Sequence, residues 1–133
     1  MKVIIDINRI LSALIRDSTT RKIILNSQLE FYFPESSLNK IRKHKDYVLE
    51  KSGLTGEEYD KLIAILFKYI KLLPTEEIGK NWSEAKKIME HIDPEDVVFI
   101  ATALSISDSV IWSDDRHFEK QNKVKALKTK DLI

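Results

Sequence analysis

The chain of 133 residues contains no cysteine. That absence excludes disulfides, thiolate zinc sites and thiol nucleophiles. Glycine and proline are scarce, three of each. Three glycines can hardly build a phosphate-cradling loop or a dinucleotide fingerprint, and no nucleophile elbow occurs. No linker, low-complexity stretch or repeat with a period of roughly 20–50 residues interrupts the sequence, which therefore reads as one domain over 1–133. No apolar run approaches the ~18 residues that a membrane helix needs. The opening Lys2 and short apolar segment are too brief for a signal peptide, so a cytoplasmic protein is expected. Neither charge dominates: 22 basic residues face 21 acidic ones, for a net +1. A uniformly basic coat for nucleic acid is thereby excluded. Function has to come from charge that is arranged locally.

The residues that are present alternate between two patterns. Val3-Ile4-Ile5-Asp6-Ile7 reads as a strand buried on both faces. Asn8 can cap a helix carrying Ile10, Leu11, Leu14 and Ile15. Thr19 and Thr20 open a second, with Ile23, Ile24 and Leu25. Phe31-Tyr32-Phe33 is a short strand ended by Pro34. From about Glu35 one long helix is predicted through Leu38, Ile41, Val48 and Leu49, stopped at Ser52-Gly53. Thr55 with Glu58 forms a capping box for the helix carrying Leu62, Ile65, Leu66 and Tyr69. Ile70–Leu73 is a strand ended by Pro74. Trp82, Ala85, Ile88 and Met89 mark another helix. Asp93-Pro94-Glu95-Asp96 opens the next, with Phe99, Ile100, Ala103 and Leu104 on its apolar face. Val110-Ile111-Trp112 and Val124–Leu127 are strands. Both tryptophans are expected in the core. This alternation predicts an α/β three-layer sandwich with a mostly parallel central sheet flanked by helices. Sites in such sheets lie outside the carboxyl ends of the strands.

Acids occupy those places. Asp6 lies at the end of the first strand, between two isoleucines, where an unpaired buried charge is costly. Asp96 lies in a first helical turn, where it also complements the helix dipole. Asp114 and Asp115 follow the strand ending at Trp112, where turn chemistry alone favours Asp. In a parallel sheet these positions can converge. Clustered carboxylates repel one another and need a hard cation, Mg²⁺ or Mn²⁺, to hold them together. Such a centre suits phosphodiester hydrolysis.

Three segments together resemble the PIN domain. They are Val3-Ile4-Ile5-Asp6-Ile7-Asn8, the run from Asp93 to Leu104, and Ile111-Trp112-Ser113-Asp114-Asp115-Arg116-His117-Phe118. The last matches the strand–Thr/Ser–x–Asp–x–x–Phe signature, with Asp115 as the acid. Thr129-Lys130-Asp131-Leu132 resembles the family's T-x-x-L ending. Ile41–Asp46 and Glu50–Leu54 look like one prokaryotic branch. The resemblance covers the chain in the right order. It implies a metal-dependent endoribonuclease of the toxin type, with a small antitoxin as partner and a homodimeric state. Carried over, Asp6, Asp96 and Asp115 are the ligands of Mg²⁺ or Mn²⁺, and Asn8 and Ser113 support them by hydrogen bonding. RNA is the implied substrate.

One position departs from the family. Its usual fourth acid, a Glu on the helix after the second strand, is here Lys40. A cation there weakens divalent-ion binding if its side chain points inward. Glu35 and Asp114 are candidate substitutes. Lys40 also opens a second reading, a catalytically impaired scaffold that binds RNA or a protein partner. A phosphotransfer receiver domain fits poorly, because only Asp6 lies near the first strand. Arg42-Lys43-His44-Lys45 reads mainly as a solvated face. Between Arg116 and Lys130, six basic residues accompany a single acid, Glu119, which is either a basic edge for RNA or a lysine-rich surface. His117, a lone loop histidine, is expected at the surface.

Overall fold

Val3, Ile4 and Ile5 have no solvent-exposed surface, and the strand they form, β1 (Lys2–Ile5), lies at the middle of the sheet. The computed structural model describes residues 1–15, 19–26 and 28–133. The other strands are β2 (Glu30–Pro34), β3 (Ile70–Leu73), β4 (Ser109–Trp112) and β5 (Ala126–Leu127). Their order is β3-β2-β1-β4-β5, and every pairing is parallel. Strands covered on both faces need no polar alternation, which is why β1 reads as a continuous apolar run.

Crossovers between parallel strands are as a rule right-handed, which sorts the helices into two layers. The chain first moves outward from β1 to β2 to β3 through α1 (Ile7–Ile15), α2 (Thr19–Asn26), α3 (Leu38–Lys43), α4 (Lys45–Ser52) and α5 (Gly56–Tyr69). Within this set α1 touches the other four. The chain then returns past β1 to β4 through α6 (Thr75–Gly79), α7 (Trp82–Met89) and α8 (Val97–Leu104), and the reversed direction puts these on the opposite face. Helix α8 packs on α6, α7, β1, β2 and β4. Every residue from Val97 to Ala103 is buried, so this helix is apolar all round rather than striped. Trp112, Phe31, Phe33, Phe99 and Phe118 are the largest side chains in the core.

Four local expectations change. The predicted long helix after Glu35 is a 3-10 turn (Glu35–Ser37) followed by α3 and α4, which break at His44 with φ −95° and ψ 6°. The His44 amide donates to the Ile41 carbonyl at 3.0 Å, a three-residue closure that periodicity cannot distinguish from a helical turn. Gly53, at φ 74°, ends α4 in the left-handed conformation that glycine tolerates. Helix α6 fills the segment between Pro74 and Trp82, for which the sequence pattern gives no element. Trp82 remains 40% exposed rather than joining the core. The cap of α1 is Asp6, not Asn8: the Asp6 carboxylate accepts from the Arg9 amide at 2.9 Å, and its carbonyl accepts from Ile10. The capping box of Thr55 and Glu58 forms in both directions.

Strand order reverses between β1 and β4, which opens a crevice at their carboxyl ends. Ile5 pairs with Trp112 in register, so Asp6 and Ser113 emerge from the sheet side by side.

Candidate metal centre

Asp6 is 4% exposed, and both its oxygens are engaged. One accepts from the Arg9 amide, and the other accepts from the Ser113 hydroxyl. Burial raises the Asp6 carboxyl above the usual range; Ser113 and Arg9 oppose that, and the Asp115 charge adds to it. Ser113 also accepts from the Asp115 amide at 3.0 Å. One hydroxyl therefore ties together the acids that follow β1 and β4.

Asp96 arrives from the other layer, at the end of the 3-10 turn Pro94–Asp96 that leads into α8. Its carboxyl is pushed up to about 6, first by burial, then by the charge of Asp93, with Asp115 and Asp6 adding to the effect. A hydrogen bond with His117 works the other way.

His117 is the centre of the cluster. Its Nδ1 lies 2.9 Å from Asp93 Oδ2, 3.3 Å from Asp115 Oδ1 and 3.4 Å from Asp96 Oδ2. Carboxylates only accept, so the nitrogen that meets them donates. His117 stays at the surface, its side chain 38% exposed, but the 3-10 turn Arg116–Lys120 folds it back over the acids. Asp115 caps that turn, accepting from the His117 amide at 2.9 Å. Asp93 also joins the cluster, although its sequence signal is only that of a cap. It does cap, accepting from the Glu95 amide at 2.9 Å through Oδ1, while Oδ2 faces His117. The one hint in the sequence is its spacing, three residues before Asp96 in a turn, which places both acids on one side.

The remaining sequence candidates are distributed differently. Asn8 lines the cleft of ≈ 190 Å³ that contains Asp93, Asp96 and Asp115. Lys40 and His44 line it as well. Glu35 is exposed and is not among the lining residues. Asp114 serves the fold instead, as an anchor for the end of the chain. Thr129 donates to it from its amide at 2.8 Å and its hydroxyl at 2.7 Å, and Arg9 pairs with it at 2.9 Å. Burial pushes the Asp114 carboxyl up, but Thr129 and Arg9 bring it below the usual range. Thr129 additionally accepts from the Trp112 indole at 3.0 Å, so the T-x-x-L segment is fastened to β4. Of the basic tail, Lys128 pairs with Glu119 at 3.0 Å, while Arg116, Lys120, Lys123, Lys125 and Lys130 keep solvent-accessible side chains.

A divalent cation suits these residues. Asp93, Asp96 and His117 offer ligand atoms that all lie within 4.8 Å of one another. Asp6 and Asp115 add carboxylates tied to the same cluster through Ser113 and His117. The donors are hard oxygens with one imidazole nitrogen, which would shed its proton on ligating, a set accepted by Mn²⁺ and, through its oxygens, by Mg²⁺. The raised Asp96 carboxyl reflects burial first and, after it, the neighbouring charges of Asp93, Asp115 and Asp6, which a bound cation would offset.

No described helix is long and apolar enough to cross a membrane. A search of curated proteins finds no match to the chain. The family model described as PIN domain matches residues 4–131. Its members are generally nucleases that use a divalent metal. With nearly the whole chain matched and the acids gathered at the carboxyl ends of β1 and β4, this protein belongs to the PIN domain family.

Proposed function

We propose that the protein is an Mg²⁺- or Mn²⁺-dependent endoribonuclease that hydrolyses RNA phosphodiester bonds. In this reading it is the toxin of a toxin–antitoxin pair, held in check by a small antitoxin protein, and works as a cytoplasmic homodimer. The observation that carries the chemistry is the group of three carboxylate oxygens within 3.4 Å of one imidazole nitrogen, beside the buried Asp6. Asp96, Asp115 and Asp6 would hold the ion, with Asp93 and His117 at its side. When bound, a divalent cation lowers the pKa of a water and polarises a phosphoryl oxygen. The protein's part is orientation. Ser113 fixes Asp6 and Asp115 relative to each other, and the turn hydrogen bond from the His117 amide fixes Asp115. The strand ends and the turn before α8 bring the acids to a common edge of the sheet.

Single-stranded RNA should be cleaved in Mn²⁺ and not in EDTA, and Asp96→Asn should lose at least about 100-fold of that rate. Growth arrest on induced expression should accompany the wild type and not the variant. Equal cleavage by the two proteins would remove this mechanism. His117→Ala tests the nitrogen separately: it should lower Mn²⁺ affinity on the order of 10-fold and leave Mg²⁺ affinity nearly unchanged, because imidazole suits Mn²⁺ better than Mg²⁺. Equal losses for both ions in calorimetry would show that His117 acts only through charge and position.

Lys40 favours a second reading. It lines the acidic cleft, and the resemblance implies a Glu at that position, which suits an impaired scaffold that binds RNA or a protein partner. Absence of saturable Mn²⁺ binding in calorimetry would decide for the scaffold.

A further inference from the structure

The acidic cleft does not end at the acids. It shares Asn8 and Leu11 with a neighbouring groove of ≈ 540 Å³, lined further by Ser12, Ile15, Tyr47 and Lys51. The two form one trough between α1 and the α3–α4 segment, which pack against each other. Positions 8, 11, 12 and 15 of α1 follow the i, i+3, i+4, i+7 pattern and present one helical face. Lys40, His44, Tyr47 and Lys51 recur every three or four residues along the opposite wall. That wall carries cations at both ends and an aromatic ring between them. Tyr47 is 50% exposed, and Lys51 Nζ stands 5.9 Å from its ring centroid. Lys40 makes no ion pair among the described residues, although acids line the same cleft. His44 Nδ1 is committed to the Lys40 carbonyl at 2.7 Å, which leaves Nε2 outside that bond.

We propose that this trough is a track for single-stranded RNA that leads away from the acidic cleft. The proposal rests on the nuclease reading and deepens it. Single-stranded nucleic acid is held by aromatic faces on which bases stack and by cations that follow the backbone. Tyr47 supplies the face, and Lys51 and Lys40 supply charge on either side of it. Leu11 and Ile15 give the base an apolar floor, while Asn8 and Ser12 offer hydrogen bonds to base or sugar edges. A stack on Tyr47 is tolerant of base identity, because every base has a π face. The track therefore fixes the direction and minimum length of a substrate more than its sequence. A product too short to reach Tyr47 is held only at the cleft and leaves readily.

The test is fluorescence anisotropy of a labelled oligouridylate with the full chain in Ca²⁺, a hard cation that carboxylates accept. Tyr47→Ala should weaken binding by about 5-fold or more, and Tyr47→Phe should keep it within about 2-fold of wild type. Lys51→Ala should reduce the slope of log K against log salt by about 0.7, the share of one phosphate contact. Both positions are exposed, and unchanged melting midpoints confirm that the variants are folded. If Tyr47→Ala and Lys51→Ala bind as wild type does, the track is overturned while the nuclease reading stands. If the wild type does not bind the oligonucleotide, both are overturned. Unchanged RNA binding with loss of self-association in Tyr47→Ala would assign the trough to a second copy of the chain and overturn the RNA track.

Discussion

Replacing Asp96 with Asn is expected to raise the melting midpoint of the metal-free protein at pH 7.5 and, in the same variant, to remove its stabilisation by Mn²⁺. The first effect follows from the Asp96 carboxyl being pushed up to about 6 by burial and by Asp93. An acid whose folded pKa lies above its unfolded value binds more protons in the folded state. Its charged form penalises the fold above the folded pKa, and the penalty vanishes below the unfolded value near 4. Wild-type stability should therefore fall as pH rises from about 4 to about 6, and the Asn variant should lack this contribution. The full lift corresponds to roughly 3 kcal/mol at most, and solvent reaching the cleft reduces it to about 1–2 kcal/mol. Asn keeps an oxygen that can accept from His117, so the neutral replacement costs little packing. The second effect is larger. Mn²⁺ at about 100 times its dissociation constant stabilises a folded protein by about 2.7 kcal/mol, a rise on the order of 5–10 °C for a domain of this size. That rise should be close to zero in the variant and should shrink in the wild type as pH falls through 6. Thermal melts across pH with and without Mn²⁺ measure both. An Asn variant that is less stable at pH 7.5, or that keeps the full Mn²⁺ shift, would contradict the electrostatic account.

Lys40→Glu should tighten Mn²⁺ binding on the order of 10- to 100-fold. The change removes a positive charge from the cleft and adds a carboxylate, two alterations of the same sign in a partly screened site. Without metal the added acid joins Asp93, Asp96 and Asp115 and increases their repulsion, so the metal-free variant should melt lower than the wild type. Because Lys40 also stands where the trough opens, the same variant should bind single-stranded RNA more weakly in Ca²⁺. Calorimetry and anisotropy thus move in opposite directions. If Mn²⁺ affinity is unchanged, the Lys40 ammonium does not share the field of the acids. If cleavage rises steeply with metal affinity, the wild-type enzyme is limited by its ion.

The site was partly legible in the sequence. A carboxylate between Ile5 and Ile7, and a Ser-Asp-Asp run after Val110-Ile111-Trp112, marked the ends of β1 and β4. Parallel pairing of Ile5 with Trp112 then sets Asp6 beside Ser113. Asp93 and Asp96 were visible as a capped turn, because Asp before Pro is a local signal. What the local pattern could not carry was the use of each group. Asp93 reads as a cap and is one, yet its second oxygen belongs to the cluster. Asp114 and Asp115 are chemically alike and adjacent, but one is turned to Thr129 and Arg9 and the other to His117. Trp82 has the spacing of a core residue and is still 40% exposed, because the neighbours needed to cover it are not set by its own helix.

Hydrophobic periodicity and capping chemistry act over a few residues. They were enough by themselves to determine the strands of a mostly parallel sheet, the helix after Asp96, the box at Thr55 and Glu58, and the places where acids leave the sheet. The tertiary structure alone decided what those acids meet. Asp6 and Ser113 are 107 positions apart, and Asp96 and His117 are 21 apart. Their approach depends on strand order, on which face each crossover takes, and on the turn after Asp115. That Lys40 lines the acidic cleft, and Tyr47 and Lys51 the adjoining trough, depends likewise on how α3 and α4 pack against α1. The near balance of 22 basic and 21 acidic residues is a property of the sequence. Its division into an acidic cleft and a cationic wall is a property of the fold, because opposed fields need charges brought together from distant parts of the chain.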